Sequence, residues 1–430
     1  MFISRSSLWT DLDCVDENKT RVYLERSKSL PVNLSLHTKS RLLLHHPFSK
    51  IIPHAIGRLG SLSIQAVPED IENIAAHLSC PAPLLEKLSI RGGYRYEPHL
   101  NPVLTPAIFN GDLSSLRVLK LESVRTEFPW RNMANLTSLK LLYTSSGGVT
   151  VRQLLDFFES APHLRKVHLY HATPTPGAQN GRLVLLPCLE RMAVTGRDSA
   201  SLLLDHLLIP VGAHLKIGVD LPSPPDQGPP PRFLDNLRNL PNFTDIRLYI
   251  NGYSTYMQFN GPNGWVRMVP RTGRVGRTHL VLESLGQFDT SKVGRLRVDC
   301  YDSPSSDPPS RALLLMERLR TLTLRHCRSL HIFVHTLQLN MSSSEVAICP
   351  ELEEFVIVPD EGTLNMKSLI EMAAARALRG AKLKTIKIVG RDQPARTDVL
   401  ELERHVLDVE SAGPEVDGAY DDSDGIGDED

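Results

Sequence analysis

The stretch Leu116-Arg117-Val118-Leu119-Lys120-Leu121 decides the fold of this chain. It reads Leu-x-x-Leu-x-Leu. Because side chains on a strand alternate between the two faces, Leu119 and Leu121 are predicted to point into a core while Lys120 points outward. One such phrase would be weak evidence, since any amphipathic segment can supply it.

The same phrase returns along the chain with apolar substitutions, in eleven instances of which most lie 20 to 33 residues apart. They begin at Leu59, Leu85, Leu116, Leu136, Leu164, Leu189, Phe243, Val293, Leu319, Leu352 and Leu383. Recurrence at such a period is typical of proteins built from stacked structural repeats. The predicted fold class is therefore α/β, an irregular leucine-rich-repeat solenoid with a parallel sheet on the concave side and helices or loops outside.

Segments between the repeats predict further elements. Strand patterns occur at residues 32–36 and 215–219, and two extended runs around Gly261-Pro262-Asn263-Gly264 predict a β-hairpin. Helices are predicted from Asp16 to Ser29, from Pro68 to Leu78, from Thr150 to Ser160, from Arg197 to Leu208, from Ser329 to Leu339, and from a cap at Thr363 to Gly380.

These elements predict three regions. Residues 1–30 are the end of a further domain with a linking helix, residues 31–390 form the solenoid, and residues 391–430 form an acidic disordered tail. The solenoid carries a proline-rich loop at 221–232 and the hairpin insertion at 253–276. The loop contains six prolines and is predicted to be extended.

Composition excludes several classes of protein. The net charge of −1 gives no global attraction to nucleic acid or membranes, and no apolar run reaches the length of a membrane span. Six cysteines without Cys-x-x-Cys spacing predict buried, reduced thiols. With no signal-peptide pattern at the N-terminus, a cytoplasmic or nuclear location is expected.

No catalytic or cofactor motif is found. Phosphate-loop, nucleophile-elbow and paired Cys/His metal patterns are missing from the sequence. His163, His168 and His171 are close in sequence but lack metal-ligand spacing and are expected at the surface or core edge. The sequence therefore predicts no enzyme activity, no metal and no cofactor.

The phrase Ser7-Leu8-Trp9-Thr10-Asp11-Leu12 resembles the end of an F-box domain in F-box/leucine-rich-repeat proteins of the mushroom-type fungal families. Similar phrases occur at residues 32–36, at residues 154–164 and in the hairpin around Gly261. In that family the F-box docks onto a Skp-type adaptor, and the repeats hold a substrate for a cullin ubiquitin ligase. Only the closing F-box phrase is present here, so the resemblance leaves adaptor binding open.

The outward strand positions carry the informative charge. In each repeat we count the residue between the second and third apolar positions, together with the residues two positions before and after it. These positions carry eleven basic and four acidic residues, on a chain whose net charge is −1. The predicted partner-binding residues on the concave face are Lys87, Lys120, Lys140, Lys166, His168, Arg191, Arg247, Arg295, Arg297, Arg325 and Lys387. Two interpretations remain: long basic side chains that cover apolar surface, or a groove for an acidic or phosphorylated protein partner.

The function predicted from the sequence is that of a protein-binding repeat receptor, resembling the substrate-recognition part of a Skp–cullin–F-box ubiquitin ligase. The alternative is a leucine-rich-repeat scaffold with no ligase role, because the adaptor-binding F-box is not in the sequence. The acidic tail is a rival occupant of the basic groove, since tethering gives it a high local concentration.

Overall fold

A computed structural model describes the chain as two compact units, with residues up to 219 in the first and residues from 243 in the second. The described residues are 5–14, 16–37, 48–92, 101–105, 107–126, 132–144, 149–172, 174, 182–195, 203–219, 243–251, 255–262, 264–270, 285, 290–301, 313–328, 330–339, 347–360, 364–390 and 393–413. The proline-rich loop at 221–232 lies outside them.

The first unit is organised around a sheet of nine parallel strands, β1-β2-β3-β4-β6-β8-β9-β11-β13. Two short pairs, β5 with β7 and β10 with β12, form separate small sheets. The strands of the unit are β1 (Asp11–Asp13), β2 (Val32–His37), β3 (Leu59–Ala66), β4 (Lys87–Gly92), β5 (Val103–Leu104), β6 (Val118–Glu122), β7 (Arg125–Thr126), β8 (Ser138–Leu142), β9 (Lys166–Tyr170), β10 (Val184–Leu185), β11 (Arg191–Thr195), β12 (Leu207–Leu208) and β13 (His214–Val219).

A turn before the strand explains why the first leucine of the phrase is needed. The Leu116 N–H donates to the Leu113 carbonyl at 3.0 Å, and the Leu136 N–H donates to the Met133 carbonyl at 3.0 Å. All four of these side chains are buried. The repeat is thus longer than the phrase read from the sequence, because a buried residue three positions earlier closes the turn.

A second repeated feature occurs at the ends of the strands. Ser123, Tyr143 and His171 each follow a strand and have φ between 50° and 53°. Their N–H groups donate to carbonyls of the next strand, for example Tyr143 N–H to the Tyr170 oxygen at 2.7 Å. This left-handed conformation is unfavourable for residues other than glycine, so the hydrogen bond to the neighbouring strand must hold it.

Helices connect some of the strands of the first unit. They are α1 (Glu17–Ser27), α2 (Phe48–Ala55), α3 (Pro68–His77) and α4 (Val151–Ser160). Thr150 caps α4 as predicted, in a capping box in which its Oγ1 accepts from the Gln153 N–H at 3.2 Å. Short 3-10 helices span Ser6–Trp9, Ile56–Arg58 and Ile108–Gly111.

The second unit has eight described strands in one sheet. β16, β15 and β14 are antiparallel neighbours, which is the segment where the sequence predicts a hairpin, and β14-β17-β18-β19-β20-β21 are parallel. The elements are β14 (Asp245–Ile250), β15 (Thr255–Asn260), β16 (Trp265–Pro270), β17 (Arg295–Cys300), β18 (Thr321–Arg325), α5 (Leu330–Leu339), β19 (Glu354–Val358), α6 (Met366–Leu378), β20 (Thr385–Val389), α7 (Arg396–Glu403) and β21 (Asp408–Ala412).

All eleven phrases lie at strands, and the α/β class with a mostly parallel sheet in each unit is confirmed. The apolar positions alternate inward along the repeat strands, so Leu119 and Leu121 are fully buried while Lys120 is only partly covered. Each repeat strand therefore has one face in the core and one face whose side chains point outward.

Several expectations need correction. The cap of α6 is Asn365, whose side chain accepts from the Ser368 N–H, whereas Thr363 lies outside the described residues. Residues 393–413, assigned to the disordered tail from the sequence, contain α7 and β21. Leu207 lies in strand β12 rather than in a helix.

Two further corrections concern a residue near the N-terminus and the thiols. Leu12, assigned to residues 1–30 outside the repeat region, is buried in β1 and pairs with Leu34 of β2, so the sheet begins earlier than predicted. Cys80 and Cys188 are exposed, while the other four cysteines are buried.

Candidate functional site

The outward residues of the first unit form rows across the sheet, because parallel strands pair residue by residue. We define the first row as Asp11, Asn33, Ser61, Lys87, Val118, Ser138, Lys166, Arg191 and His214. We define the second row as Asp13, Ser35, Ser63, Ser89, Lys120, Lys140, His168, Ala193 and Lys216. The two rows lie on one face, two residues apart along each strand.

Like charges lie directly opposite each other in both rows. Lys120 of β6 is the register partner of Lys140 of β8, and Lys166 of β9 is the register partner of Arg191 of β11. Neighbouring strands are about 4.8 Å apart, so each pair brings two cationic side chains together on the same face. Like charges placed directly opposite destabilise a sheet by up to about 1 kcal/mol.

No described carboxylate forms an ion pair with the five side chains that we call the cationic patch: Lys87, Lys120, Lys140, Lys166 and Arg191. The nearby cation Arg91 differs, since its Nε lies 3.3 Å from Oε1 of the buried Glu122. Lys87, Lys166 and Arg191 are exposed, and Lys120 and Lys140 are half-buried. The patch therefore presents charge to solvent that its own described surroundings do not neutralise.

The predicted cations of the second unit have a different environment. Nε of Arg247 lies 2.9 Å from one carboxylate oxygen of Asp299, and Nε of Arg297 lies 3.0 Å from the other. The Asp299 side chain is only 3% exposed, so both guanidinium groups share one buried carboxylate. Arg247 and Arg297 therefore contribute to the packing of this face, because they compensate the buried charge of Asp299.

Two more of these cations are paired at the surface. Nε of Arg295 lies 3.3 Å from Asp245, and Nζ of Lys387 lies 3.7 Å from Glu410 of β21. Arg325 is half-buried, with its Nε enclosed. The structure thus separates the predicted residues into two groups: Lys87, Lys120, Lys140, Lys166, His168 and Arg191 share one face of the first unit, and the others have acidic or buried surroundings in the second.

An aromatic cluster adjoins the cationic patch and was not predicted from the sequence. The rings of Tyr143 and Tyr170 meet edge to face at 5.0 Å between centroids, and Tyr143 stacks on His171 at 5.4 Å. His168 of the second row lies 6.3 Å from the Tyr170 ring. Tyr143 and His171 follow their strands, so the sequence signal would have been an aromatic residue or histidine two positions after the repeat phrase.

The cluster complements the cationic patch chemically. Aromatic side chains, like arginine, are enriched among the residues that dominate protein–protein binding energy. Their rings contact one another, and the backbone at Tyr143 and His171 is held by hydrogen bonds to the next strand. A partner would therefore meet a preorganised apolar edge beside flexible lysine side chains.

The described residues contain no group of three or more His, Cys, Asp or Glu side chains suited to hold a metal ion. Among these same parts of the chain, no helix has both the length and the apolarity to cross a bilayer. His168 is half-buried and His171 is exposed, and both contact neighbouring rings. The candidate site thus consists of cationic side chains beside a cluster of aromatic rings.

Comparison with known proteins gives no assignment, because neither a protein-family model nor a curated protein matches the chain.

Proposed function

We propose that the chain is an irregular leucine-rich-repeat solenoid that acts as a protein-binding receptor, with the outward face of its first unit as the binding surface. The observation that carries this proposal is the direct opposition of Lys120 to Lys140 in neighbouring strands, with no ion pair from a described carboxylate to either lysine. The opposed lysines do not stabilise the folded chain, whereas a bound anionic partner would relieve the repulsion between them. The chain binds and does not catalyse.

Support for the solenoid assignment comes from the order of the strands. Parallel strands of the first unit pair with the next repeat along the chain, as from β4 to β6 to β8 to β9. A buried turn precedes several of these strands, and the residue after several of them takes the same left-handed conformation. Repeats that each contact their neighbours are the defining property of solenoids.

The resemblance of residues 7–12 to an F-box end supports a more specific proposal, in which the partner is a substrate of a Skp–cullin–F-box ubiquitin ligase. Trp9 packs edge to face on Tyr23 of α1 at 4.9 Å, and the Arg26 guanidinium lies 4.6 Å from the Trp9 ring centre. These contacts join the phrase to the first unit. Affinity purification of the full chain from cells tests the ligase link. If a Skp-type adaptor never co-purifies with the chain, the ligase proposal is wrong.

The binding surface is tested with a labelled ten-residue peptide that contains phosphoserine and glutamate, measured by fluorescence anisotropy at low salt. We expect the double variant Lys120→Glu with Lys140→Glu to weaken binding at least about tenfold, because two attractive contacts become repulsive. Variants at Arg247 are unsuitable, since a glutamate there would face the buried Asp299 carboxylate.

The matched control is Lys367→Glu with Lys382→Glu, which makes the same change in net charge at two exposed lysines of the second unit. We expect this control to bind the peptide as the wild type does. Equal weakening by both double variants would mean that the peptide responds to net charge alone, and the proposed surface would then be wrong.

A further inference from the structure

The face that carries the cationic patch is asymmetric in charge along its rows. Both rows begin with an exposed carboxylate on β1, Asp11 in the first and Asp13 in the second. Both then cross β2 and β3 through short neutral side chains, Asn33 and Ser61 in one row and Ser35 and Ser63 in the other. From β4 onward the charged members of both rows are cations, with His168 and His214 beside them.

The distance between the two charged zones follows from the register. Asp13, Ser35, Ser63, Ser89 and Lys120 are consecutive register partners, so four strand spacings separate Asp13 from Lys120. At about 4.8 Å for each spacing, the separation is roughly 19 Å along the sheet. An extended peptide rises about 3.3 Å per residue, so roughly six residues span it.

The neutral zone between the charges is suited to contact with a peptide backbone. Its second-row side chains are serines. Serine side chains are short, and their hydroxyl groups can donate and accept hydrogen bonds. Asn33 is held by its Nδ2–H group, which donates to Asp11 Oδ1 at 2.7 Å, and the Ser35 hydroxyl donates to the Leu12 carbonyl at 3.2 Å. A main chain lying across this zone can exchange hydrogen bonds without displacing large side chains.

We infer that this face binds an extended protein segment of opposite charge order: a basic residue at β1 and an acidic or phosphorylated residue at Lys120 and Lys140, about six residues apart. This inference rests on the proposed function and deepens it, because it fixes the length and polarity of the partner segment. Charge complementarity at both ends selects the segment, since the wrong order places like charges together at each end.

The chemistry at the anionic end favours a phosphoryl group or clustered carboxylates. Lys120 and Lys140 each bring an ammonium group with three donors, and His168 follows Lys140 in the same row. The phosphoryl dianion has three acceptor oxygens, enough for both ammonium groups at once. Tyr170 follows His168 by two residues on β9 and so lies beside the second row, where a neighbouring apolar side chain of the segment would meet its ring and that of Tyr143.

The test uses four labelled peptides of equal length in anisotropy titrations at low salt. Two carry a pair of arginines, five alanine and serine residues, and a phosphoserine-glutamate pair, in the two possible chain directions. A third replaces the arginines with glutamine, and a fourth places the arginines next to the phosphoserine. We expect one of the two spaced peptides to bind at least about fivefold tighter than the third and the fourth.

Two protein variants separate this inference from the proposed function. Asp11→Asn with Asp13→Asn keeps the oxygen that accepts from Asn33 and should abolish the fivefold gain while leaving the glutamine peptide unchanged. Lys120→Glu with Lys140→Glu should weaken all four peptides. Circular dichroism melting of each variant shows whether it is folded.

The possible outcomes are distinct. Equal affinity for spaced and glutamine peptides, or a gain that survives in Asp11→Asn with Asp13→Asn, overturns the charge-order inference and leaves the proposed surface standing. Binding of no peptide to the folded wild type overturns the proposed surface and this inference with it.

Discussion

At the scale of single residues, Arg376 of α6 is the most unusual side chain in the second unit. It is fully buried, and its two Nη groups donate to the carbonyls of Ile348 at 2.7 Å and Cys349 at 2.9 Å. Burial lowers the pKa of its guanidinium, and burial likewise raises the pKa of the Cys349 thiol to about 12. Arg376 thereby fixes an outer helix to the turn that precedes β19.

We expect Arg376→Met to lower the free energy of unfolding by about 2 kcal/mol. The variant leaves the buried Ile348 carbonyl without its donor, at a cost of about 1–3 kcal/mol, and removes one of two donors to the Cys349 carbonyl, which keeps the Leu352 N–H. These losses exceed the relief from removing a desolvated cation. Urea unfolding followed by circular dichroism measures the change.

Lys367→Met on the same helix serves as the control for Arg376→Met, because Lys367 is exposed and its replacement should change stability by less than about 0.5 kcal/mol. If Arg376→Met unfolds at the urea concentration of the wild type, the two hydrogen bonds contribute no net stability and Arg376 does not hold the turn.

At the scale of secondary structure, the repeat strands could be predicted from the sequence because each buries two alternating apolar residues. β1 and β21 could not, because they carry mostly polar side chains and lack the repeat phrase: Asp11-Leu12-Asp13 and Asp408-Val409-Glu410-Ser411-Ala412. Their strand form comes from backbone pairing with β2 and β20 rather than from their own pattern.

The helix α2 (Phe48–Ala55) was missed for a related reason. Pro53 lies inside it, and a proline removes a hydrogen bond from a helix interior, so the sequence does not favour a helix here. Burial of Phe48, Ile51, Ile52 and Ala55 offsets the hydrogen bond that the proline cannot make. Tertiary packing here outweighs local propensity, which a reading of the sequence alone does not measure.

The candidate site was predictable in part. Register follows from the repeat phrase, so the amino-acid sequence is enough to place the basic residues on outward rows. Which of these charges are balanced by an adjacent carboxylate depends on the neighbouring strands, as with Arg247 and Arg297 on Asp299. The repeat pattern groups these arginines with Lys120 and Lys140, although the two lysines, unlike the arginines, form no ion pair with the carboxylate of a described residue.

At the scale of the whole molecule, the C-terminal region contains both folded structure and an acidic segment. β21 pairs with β20 along its full length, the buried Leu402 and Val406 anchor the preceding residues, and Glu410 lies 3.7 Å from Lys387. Residues beyond Gly413 remain rich in Asp and Glu. A truncation meant to remove the acidic segment should therefore end at Gly413, since ending at Leu407 also removes a strand.

We expect truncation after Gly413 to leave the free energy of unfolding unchanged within about 0.5 kcal/mol, and to raise affinity for the phosphoserine-glutamate peptide severalfold at low salt. The physical reason is that a tethered acidic segment competes with the peptide for the cationic patch, and its removal ends that competition. Truncation after Leu407 should instead lower stability by about 2 kcal/mol or more, because β20 loses its parallel neighbour and becomes an open edge.

Urea unfolding and anisotropy titration on the same preparations distinguish these effects. A chain ending at Gly413 with wild-type stability and wild-type peptide affinity would mean that the acidic segment does not compete for the patch. Replacing the acidic residues after Gly413 by their amides, at unchanged length, provides the matched control. Because this replacement removes charge and keeps the chain, it should raise peptide affinity as much as the truncation does if competition is electrostatic.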